Sequence, residues 1–230
     1  MNPMNLLALE TSTPFCSVAL AQGARFSARH FEAGQRHAEL TLDAVDALLR
    51  EAQLEPAALS GIAYGQGPGS FTGLRIACGL VQGMALARSL PVVGIGTLAA
   101  LAEECGAARV IACLDARMGE VYHAAYVCDG DGWNEASAPG LYRPEAVPEL
   151  QGNGWTGCGS GFSAFGDALS ARYGARLAEL RPGVWPSAAA VLRLARPRFQ
   201  RGEVGDAASA LPIYLRDKVA MKTSERIQRR

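Results

Sequence analysis

The opening of the chain alternates between short apolar runs and polar turn residues, a pattern typical of closely spaced strands. Apolar side chains fill residues 6–9 and, apart from Ser17, residues 16–21, and residues 25–31 largely alternate between apolar and polar positions. The runs are joined by short segments of turn residues. The pattern therefore predicts three strands of an antiparallel meander.

Apolar residues then recur at the spacing of a helix over residues 37–52. A strand is predicted at 61–64, a helix at about 72–88 and a strand at 92–95. One face of the first of these helices forms an apolar stripe, which consists of Leu40, Ala44, Leu48 and Ala52.

The same opening pattern occurs again in the second half of the chain. An apolar strand at residues 110–114, an acid-headed turn at 115–119 and a strand at 120–127 repeat the order found around residue 10. The repetition predicts two α/β lobes of one design, which we assign to residues 1–106 and 107–230.

The rest of the second lobe has a less regular pattern. Residues 129–148 are rich in glycine, proline and polar side chains, which predicts a loop with one short strand. A glycine-rich turn at 157–162 precedes a predicted helix at 165–173.

A last helix is predicted over residues 186–200, where Pro197 would kink or shorten it. The segment that follows ends in a basic tail, residues 217–230, which we expect to fray. The apolar stripe of this last helix consists of Ala188, Val191, Leu192, Ala195 and Phe199.

Composition and charge narrow the class of protein. The 230 residues carry 22 acidic and 22 basic side chains, so no net charge attracts the chain to nucleic acid or to a membrane. The six cysteines form no Cys-x-x-Cys pair and are typical of reduced core thiols. No apolar run approaches the length of a membrane span, about 18 residues, and no secretion signal is recognisable, so we expect the cytoplasm.

The most informative segment is a glycine-rich loop at residues 65–75, with the sequence GQGPGSFTGLR. It lies between a predicted strand and a predicted helix, and Ser70 or Thr72 occupies the position of the helix N-cap. Free amides at such a junction can bind an anion, and a purely structural turn is the alternative. The loop lacks the lysine of a P-loop and the third glycine of a dinucleotide fingerprint.

This loop, together with the segment LPIYLR at residues 211–216, resembles the bacterial TsaB (YeaZ) family, and the similarity extends along nearly the whole chain. The resemblance implies an actin-like, sugar-kinase and Hsp70 (ASKHA) fold of two related RNase H-like lobes, with the last helix packing back on the first lobe. It also implies a role in forming threonylcarbamoyladenosine (t6A) in tRNA. The chain would be a non-catalytic partner of TsaD, which transfers a threonylcarbamoyl group to N6 of adenosine 37 in tRNAs that read ANN codons.

The resemblance further implies the assemblies that the chain enters. These are a heterodimer with TsaD, a ternary complex that includes the ATPase TsaE, and a homodimer when TsaD is absent. TsaC would supply the activated group, and tRNA would be contacted only indirectly. No cofactor of the chain's own is implied, and ATP or ADP at the partner interface is left open.

In this fold group the turn after the first strand of each lobe faces the phosphates and metal of a nucleotide. TsaB-like proteins usually have aspartate at position 10, and the longer Glu10 would move the carboxylate away from a metal. The alternative is that Glu10 and Asp115 only accept hydrogen bonds from turn amides. The candidate residues on the phosphate side are Glu10, Thr11, Ser12, Thr13, Gly67, Gly69 and Asp115.

Neither a catalytic metal nor a protease site is expected. TsaD binds metal through a His-x-x-x-His pair. This pair lies on the helix that follows the strand matching residues 92–95. Two histidines four positions apart on a helix point the same way, so both can bind one metal ion. The matching positions here are Thr97 and Leu101. The histidines of the chain include no such pair; a helix start is expected for His37, and strands are expected for His30 and His123.

Two arginines lie at the mouths of the predicted turns, Arg75 and Arg117. Either guanidinium group could orient a phosphate or a partner's carboxylate. The alternative is an ion pair within the chain, with Glu10, Asp115 or Glu120.

The predicted helix after the glycine loop is apolar almost all round, which predicts burial on most sides. Small residues recur on it every four positions, and each interior glycine disfavours a helix by about 1 kcal/mol relative to alanine. This stripe predicts close packing, either on the lobe's own sheet or against a partner's helix. The resemblance implies the partner, through a surface made of Leu40, Ala44, Leu48, Arg75, Gly79, Gly83 and Ala87.

Two other functions are compatible with parts of the sequence. One is a self-sufficient nucleotide-dependent kinase or ATPase of the same fold, which the missing base and metal ligands disfavour. The other is a direct RNA-binding module that uses the basic tail, which the zero net charge disfavours.

Overall fold

The computed structural model describes residues 4–34, 36–130 and 132–216. Two five-stranded sheets organise this part of the chain, one in each lobe. The basic tail that we expected to fray lies outside the described residues.

The first lobe begins with the predicted meander, since β1 pairs antiparallel with β2 and β2 with β3. β1 pairs in parallel with β4, and β4 in parallel with β5, which gives the strand order β3-β2-β1-β4-β5. The elements in chain order are β1 (Asn5–Glu10), β2 (Phe15–Gln22), β3 (Arg25–Glu32), α1 (His37–Glu51), β4 (Gly61–Gly67), α2 (Phe71–Arg88) and β5 (Val92–Gly96).

The second lobe repeats this topology. Its strand order is β10-β9-β6-β7-β8, in which β6 pairs antiparallel with β7 and parallel with β9, as β1 does with β2 and β4. The prediction of two lobes with one design is thereby confirmed. The elements are α3 (Thr97–Cys105), β6 (Arg109–Arg117), β7 (Glu120–Cys128), β8 (Trp133–Tyr142), β9 (Trp155–Cys158), α4 (Ser160–Tyr173), β10 (Leu177–Arg181) and α5 (Ala188–Gln200).

Alternation along β1 explains how the first sheet is covered on both faces. Leu7 and Leu9 lie in one core cluster with buried side chains of α1 and α2, whereas Leu6 and Ala8 lie in another with α5. Successive strand side chains point to opposite faces, so an uninterrupted apolar run is typical of a sheet covered twice. The first sheet is therefore a central layer between helices.

Helix α5 packs back on the first lobe, as predicted. Its apolar stripe contacts the side of the first sheet opposite α1 and α2, and the amide of Ala188 donates a hydrogen bond to Ser17 Oγ (3.0 Å). Pro197 lies inside this helix, which continues to Gln200, so of the two expected effects, a kink or a shortening, the shortening does not occur. Proline cannot donate a helical hydrogen bond, and the burial of the apolar stripe on the first sheet favours the helix at this position.

The structure corrects three details of the second lobe. The segment predicted as a loop with one short strand contains β8, which is ten residues long. Register shifts in its pairing with β7 interrupt the alternation of apolar and polar side chains that would have indicated a long strand. The short parallel strands β9 and β10 were not predicted. Helix α4 begins at Ser160 and contains a non-helical residue at Phe165, where the predicted helix began.

The assigned lobe boundary at residue 106 falls between α3 and β6, although buried side chains of α3 pack in a core cluster with β6 and β7 of the second lobe. Five of the six cysteines are buried free thiols, and Cys128 is exposed. None of the helices in the described part of the chain is both long and apolar enough to span a bilayer.

Candidate functional site between the two lobes

The glycine loop forms the junction between β4 and α2, and it packs tightly on the turn that follows β1. Ser70 is the N-cap of α2, where its hydroxyl accepts a hydrogen bond from the amide of Gly73 (3.3 Å), so Thr72 is not the cap. The amide of Ser70 donates to the carbonyl of Ser12 (2.7 Å). A Cβ atom at Gly69 would lie 2.5 Å from that same carbonyl oxygen, so only glycine allows the approach.

The turn after β1 is buried, and its polar groups are used largely within the protein. Glu10 Oε1 accepts a hydrogen bond from the amide of Ser12 (2.6 Å), and the Thr11 hydroxyl donates to the carbonyl of Gly73 (2.8 Å). Glu10 Oε2 and Ser12 Oγ are buried without a hydrogen-bond partner among the described residues. Burial raises the pKa of Glu10, because the charged carboxylate loses its hydration.

The corresponding turn of the second lobe, after β6, is more open. Asp115 Oδ1 accepts a hydrogen bond from the amide of Arg117 (2.8 Å), and the Asp115 amide donates to Ser160 Oγ at the start of α4 (3.1 Å). Arg117, Met118 and Gly119 all have left-handed backbone conformations, with φ of 62°, 57° and 76°. Two consecutive non-glycine residues in that region are unusual and strained.

The two turns and the glycine loop line one cleft between the lobes, with a volume of about 830 Å³. The starts of α2 and α4 both lie on its wall. Among the predicted phosphate-side residues, Ser12, Thr13, Gly69 and Asp115 line the cleft. Glu10, Thr11 and Gly67 are buried and do not line it.

The hydrogen bonds of Glu10 and Asp115 match the structural alternative stated for these acids. Each carboxyl group accepts a hydrogen bond from the amide two residues later, in the manner of a turn-stabilising acid. Glu10 also contacts Gly65 so closely that no Cβ could be placed there. Glu10 is thus directed into the first lobe rather than toward a ligand in the cleft.

The two arginines behave differently. Arg117 lies 3.3 Å from Asp115 in an exposed ion pair, one of the pairings that we considered. Arg75 instead donates from Nε to the Tyr214 hydroxyl (3.1 Å), and its guanidinium carbon lies 3.8 Å from the centre of the Phe71 ring. Glu120 pairs with Arg216 (2.8 Å).

Sequence reasoning missed the role of the segment 211–216, which contributes to the mouth of the cleft. Its motif was recognised only as a signature of the family. Trp185 also lines the cleft and was not among the candidates. No local pattern pointed to it, since it reaches the cleft through the tertiary fold.

The residues at the positions of the TsaD metal ligands do not fit a metal. Thr97 and Leu101 are fully buried in α3, and Leu101 belongs to an apolar cluster of the second lobe. Within residues 4–34, 36–130 and 132–216, no group of three or more His, Cys, Asp or Glu side chains could hold one. His37 begins α1, and the other two histidines, His30 and His123, lie in β3 and β7, as predicted.

The predicted partner surface is divided between the core and the outside of the protein. Ala44 and Leu48 are buried in the core of the first lobe, and Leu40 packs against it. Gly79, Gly83 and Ala87 of α2 are exposed together with Arg75. Burial of α2 on most sides is therefore wrong, and its small-residue stripe does not pack on the lobe's own sheet.

Comparison with known proteins gives consistent results. A family model described as "TsaD: tRNA N6-adenosine threonylcarbamoyltransferase" matches residues 31–223. The tRNA threonylcarbamoyladenosine biosynthesis protein TsaB of Escherichia coli (strain K12) is 39% identical over 231 residues, which cover 95% of this chain and 97% of that protein. The protein of the same name from Haemophilus influenzae is 33% identical over 96% of this chain and 98% of its own length.

A solved structure extends the similarity from sequence to fold. YeaZ from Pseudomonas aeruginosa superposes with a TM-score of 0.85 at 39% identity, covering 92% of this chain and all of that one. The family and the two-lobed fold predicted from residues 65–75 and 211–216 are thereby confirmed. The chain belongs to the TsaB (YeaZ) family, within the group of proteins that the TsaD family model matches.

Proposed function

We propose that this chain is the non-catalytic partner of a TsaD protein in t6A formation, the transfer of a threonylcarbamoyl group to N6 of adenosine 37 in tRNAs that read ANN codons. The names of the relatives and of the matching family model support this pathway. In this proposal TsaD carries out the transfer, TsaE joins the same assembly, and the chain contacts tRNA only indirectly.

The outer face of α2 is the observation that carries the partner role. Gly79 and Gly83 are exposed, and a Cβ atom at either position would have no neighbour within 4 Å. Leu86 lies one turn after Gly83 and is 77% exposed. An apolar face with a smooth surface suits a second helix at close range, so we assign it to a helix of TsaD.

We propose that a second copy of the chain covers the same face when TsaD is absent. Exposed apolar side chains on α1 and α2, Leu42 and Leu86, would otherwise remain in water. An isologous pair that buries α2 against its own copy would remove both from solvent. The homodimer and the heterodimer would then be mutually exclusive.

The chemistry of the cleft supports a non-catalytic role. A transferase or ATPase of this fold needs carboxylates that are free to hold a metal and a group that activates the nucleophile. Here Glu10 is directed into the core, and Thr97 and Leu101 offer a metal no ligand pair. We propose that the chain has no cofactor of its own. ATP or ADP would contact the chain only at the interface with the partner.

Reconstitution tests the proposal. With TsaC, TsaD and TsaE present, tRNA modification should be near zero without this chain and should return when the chain is added. The chain alone should hydrolyse ATP at the background rate. Full modification in the mixture that lacks the chain would contradict the partner role, and ATP turnover by the isolated chain that Asp115→Ala abolishes would favour an enzyme.

A further inference from the structure

The segment 205–216, which we call the strap, runs along the first lobe before it reaches the cleft. Gly205 and Val92 of β5 exchange two backbone hydrogen bonds of 2.9 Å each. Further along, Gln82 of α2 donates from Nε2 to the carbonyl of Ala210 (2.9 Å), and the amide of Ile213 donates to the carbonyl of Gln66 (2.6 Å). The strap is therefore fixed to both β5 and the glycine loop.

At the mouth of the cleft the strap contacts the first turn of α2. The Tyr214 hydroxyl accepts the hydrogen bond from Arg75, and the Tyr214 ring centre lies 5.4 Å from that of Phe71. Arg75 stacks on Phe71 in turn, so the three side chains form one exposed cluster. Phe71 and Tyr214 are 39% and 41% exposed, although large aromatic side chains are usually buried.

The strap then crosses to the second lobe, where Arg216 is held at four points. Its guanidinium group lies 2.8 Å from Glu120 and donates to the carbonyls of Ala116 (3.1 Å) and Arg117 (3.4 Å). It also lies 3.3 Å from the sulfur of Met118. The Arg216 side chain is only 15% exposed, so these contacts are shielded from water.

Arg216 contacts the second-lobe turn after β6, which has a strained backbone. Arg117 and Met118 have left-handed backbone conformations, yet their side chains are exposed, Met118 by 63%. Such strain persists where surrounding contacts fix the backbone, and hydrogen bonds from a charged donor to two carbonyls of the turn do so here. Exposed arginine, methionine and aromatic side chains are typical of protein interfaces.

We propose that Arg216 is a positioning residue that fixes the second-lobe turn, residues 115–119, to the strap. The partner surface of α2 continues over Tyr214 to Arg117 and Met118. The inference rests on the proposed function, and the occupant is the same partner chain. Its basis is continuity: residues 71, 75, 79, 83 and 87 are all exposed and four positions apart, so they form one oblique ridge across the exposed side of α2 that reaches the cleft at Phe71. Because Arg75 contacts only the uncharged side chains of Phe71 and Tyr214 within the described part of the chain, we expect the partner to place a carboxylate opposite it.

Hydrogen exchange of the free chain tests the bracing. In Arg216→Ala the amides of residues 116–120 should exchange about tenfold faster or more, since the turn loses charge-assisted hydrogen bonds, while those of β3 stay unchanged. Arg216→Lys should have an intermediate effect because it keeps the charge without the planar fork. The matched control is Arg201→Ala, which removes a guanidinium paired with Glu203 at the surface of the first lobe.

Affinity for the TsaD protein of the same organism tests the surface. Tyr214→Ala and Arg216→Ala should each weaken binding about tenfold or more, whereas Arg201→Ala and Phe26→Ala, an exposed aromatic in β3, should not. Unchanged exchange at 116–120 in Arg216→Ala would overturn the bracing, and unchanged affinity in both variants would overturn the extended surface. Failure of the unaltered chain to bind TsaD would instead refute the proposed function, while the exchange experiment still decides the role of Arg216.

Discussion

Glu10 ends β1 with its carboxyl group inside the first lobe rather than on the wall of the cleft. It accepts a hydrogen bond from Ser12 on one oxygen and lies against Gly65 on the other. The position therefore combines a buried acid with a glycine that makes room for it. An aspartate, one methylene shorter, would fill this space less completely, so the glutamate and Gly65 form a matched pair.

Burial of Glu10 should make the stability of the protein depend on pH in a defined direction. Burial raises the Glu10 pKa above its usual value of 4.5, so the folded state binds this proton more tightly than the unfolded chain. The contribution is fully present below pH 4.5 and is lost as the pH rises through the raised pKa. Glu10→Gln, which stays neutral, should therefore become more stable relative to the unaltered protein as pH rises.

Urea unfolding at several pH values measures this difference in the free energy of unfolding. Each unit by which the Glu10 pKa is raised corresponds to about 1.4 kcal/mol. Glu145→Gln is the control, since it makes the same chemical change at an exposed position. A difference between Glu10→Gln and the unaltered protein that is constant with pH would contradict the assignment.

His123 should impose the opposite dependence. It is fully buried in β7, where Nε2 lies 2.7 Å from the Tyr173 hydroxyl, and burial lowers its pKa to about 4. The unfolded chain binds the proton near pH 6.5, so this contribution to stability is complete above that pH and is lost toward pH 4. Between about pH 7 and pH 5 the loss amounts to roughly 2 kcal/mol.

The variant His123→Gln, measured by urea unfolding over that interval, should lose much of the acid-side slope. Only the slope of the free energy against pH matters here, because the substitution also changes the packing around Tyr173. Parallel curves for variant and unaltered protein would show that the pKa of His123 is the same in the folded and unfolded states, which would contradict the prediction.

At the scale of elements, the inner face of α2 packs in the core of the first lobe, whereas its outer face is exposed. Cys78, Val81 and Ala85 are buried in the first core cluster, while Gly79, Gly83 and the residues in line with them are exposed. Hydrophobicity alone does not distinguish these faces. The outer face is the part of the first lobe that we expect to be buried by another chain.

A charge placed on this face should prevent self-association without unfolding the protein. Ala87→Arg should shift the homodimer toward monomer in light scattering by about tenfold or more in the dissociation constant, because an unpaired charge would have to be buried. Gly83→Leu should do the same by steric exclusion. The matched control is Ala171→Arg, which introduces the same side chain at an exposed alanine of α4.

Circular dichroism should show that all three variants keep the fold, since the three positions are exposed. A dimer that persists in folded Ala87→Arg and Gly83→Leu would place the contact on another surface.

Elements with one apolar and one polar face could be predicted from the sequence, together with the face that they bury. For elements that are apolar on all sides, the sequence did not predict which face is buried in the protein's own core. The stripe of Leu40, Ala44 and Leu48 did predict α1, and its residues face the core, although we had also assigned them to a partner. For α2, with apolar residues all round, the pattern held no information on which face the protein itself covers. Only the position of the sheet decides this.

The same limitation applies to the site. The glycine loop and both acid-headed turns could be located, because turns depend on local residue types such as glycine and short acids. The inward direction of Glu10 and the crossing of Arg216 to the second lobe depend on residues far apart in sequence. Their partners, Gly65 and Glu120, lie in other elements, so no local pattern predicted these contacts.

At the scale of the whole molecule, the chain joins two lobes of one topology around a cleft and ties them at several points. α5 returns from the second lobe to the first, the strap spans the cleft mouth, and Arg193 of α5 pairs with Glu103 of α3 (2.6 Å). Enzymes that sequester their substrates by domain closure need such a cleft to open and close during turnover. A molecule tied across its cleft is better suited to present a fixed surface to a partner.

The most direct measurement is sedimentation velocity of the chain during titration with TsaD. We predict that the homodimer disappears as a mixed complex with one copy of each chain forms, because one face of α2 cannot contact two partners at once. Ala87→Arg should weaken both associations, and Ala171→Arg neither. A larger particle in which TsaD binds to an intact homodimer, or a folded Ala87→Arg protein that binds TsaD normally, would contradict the account.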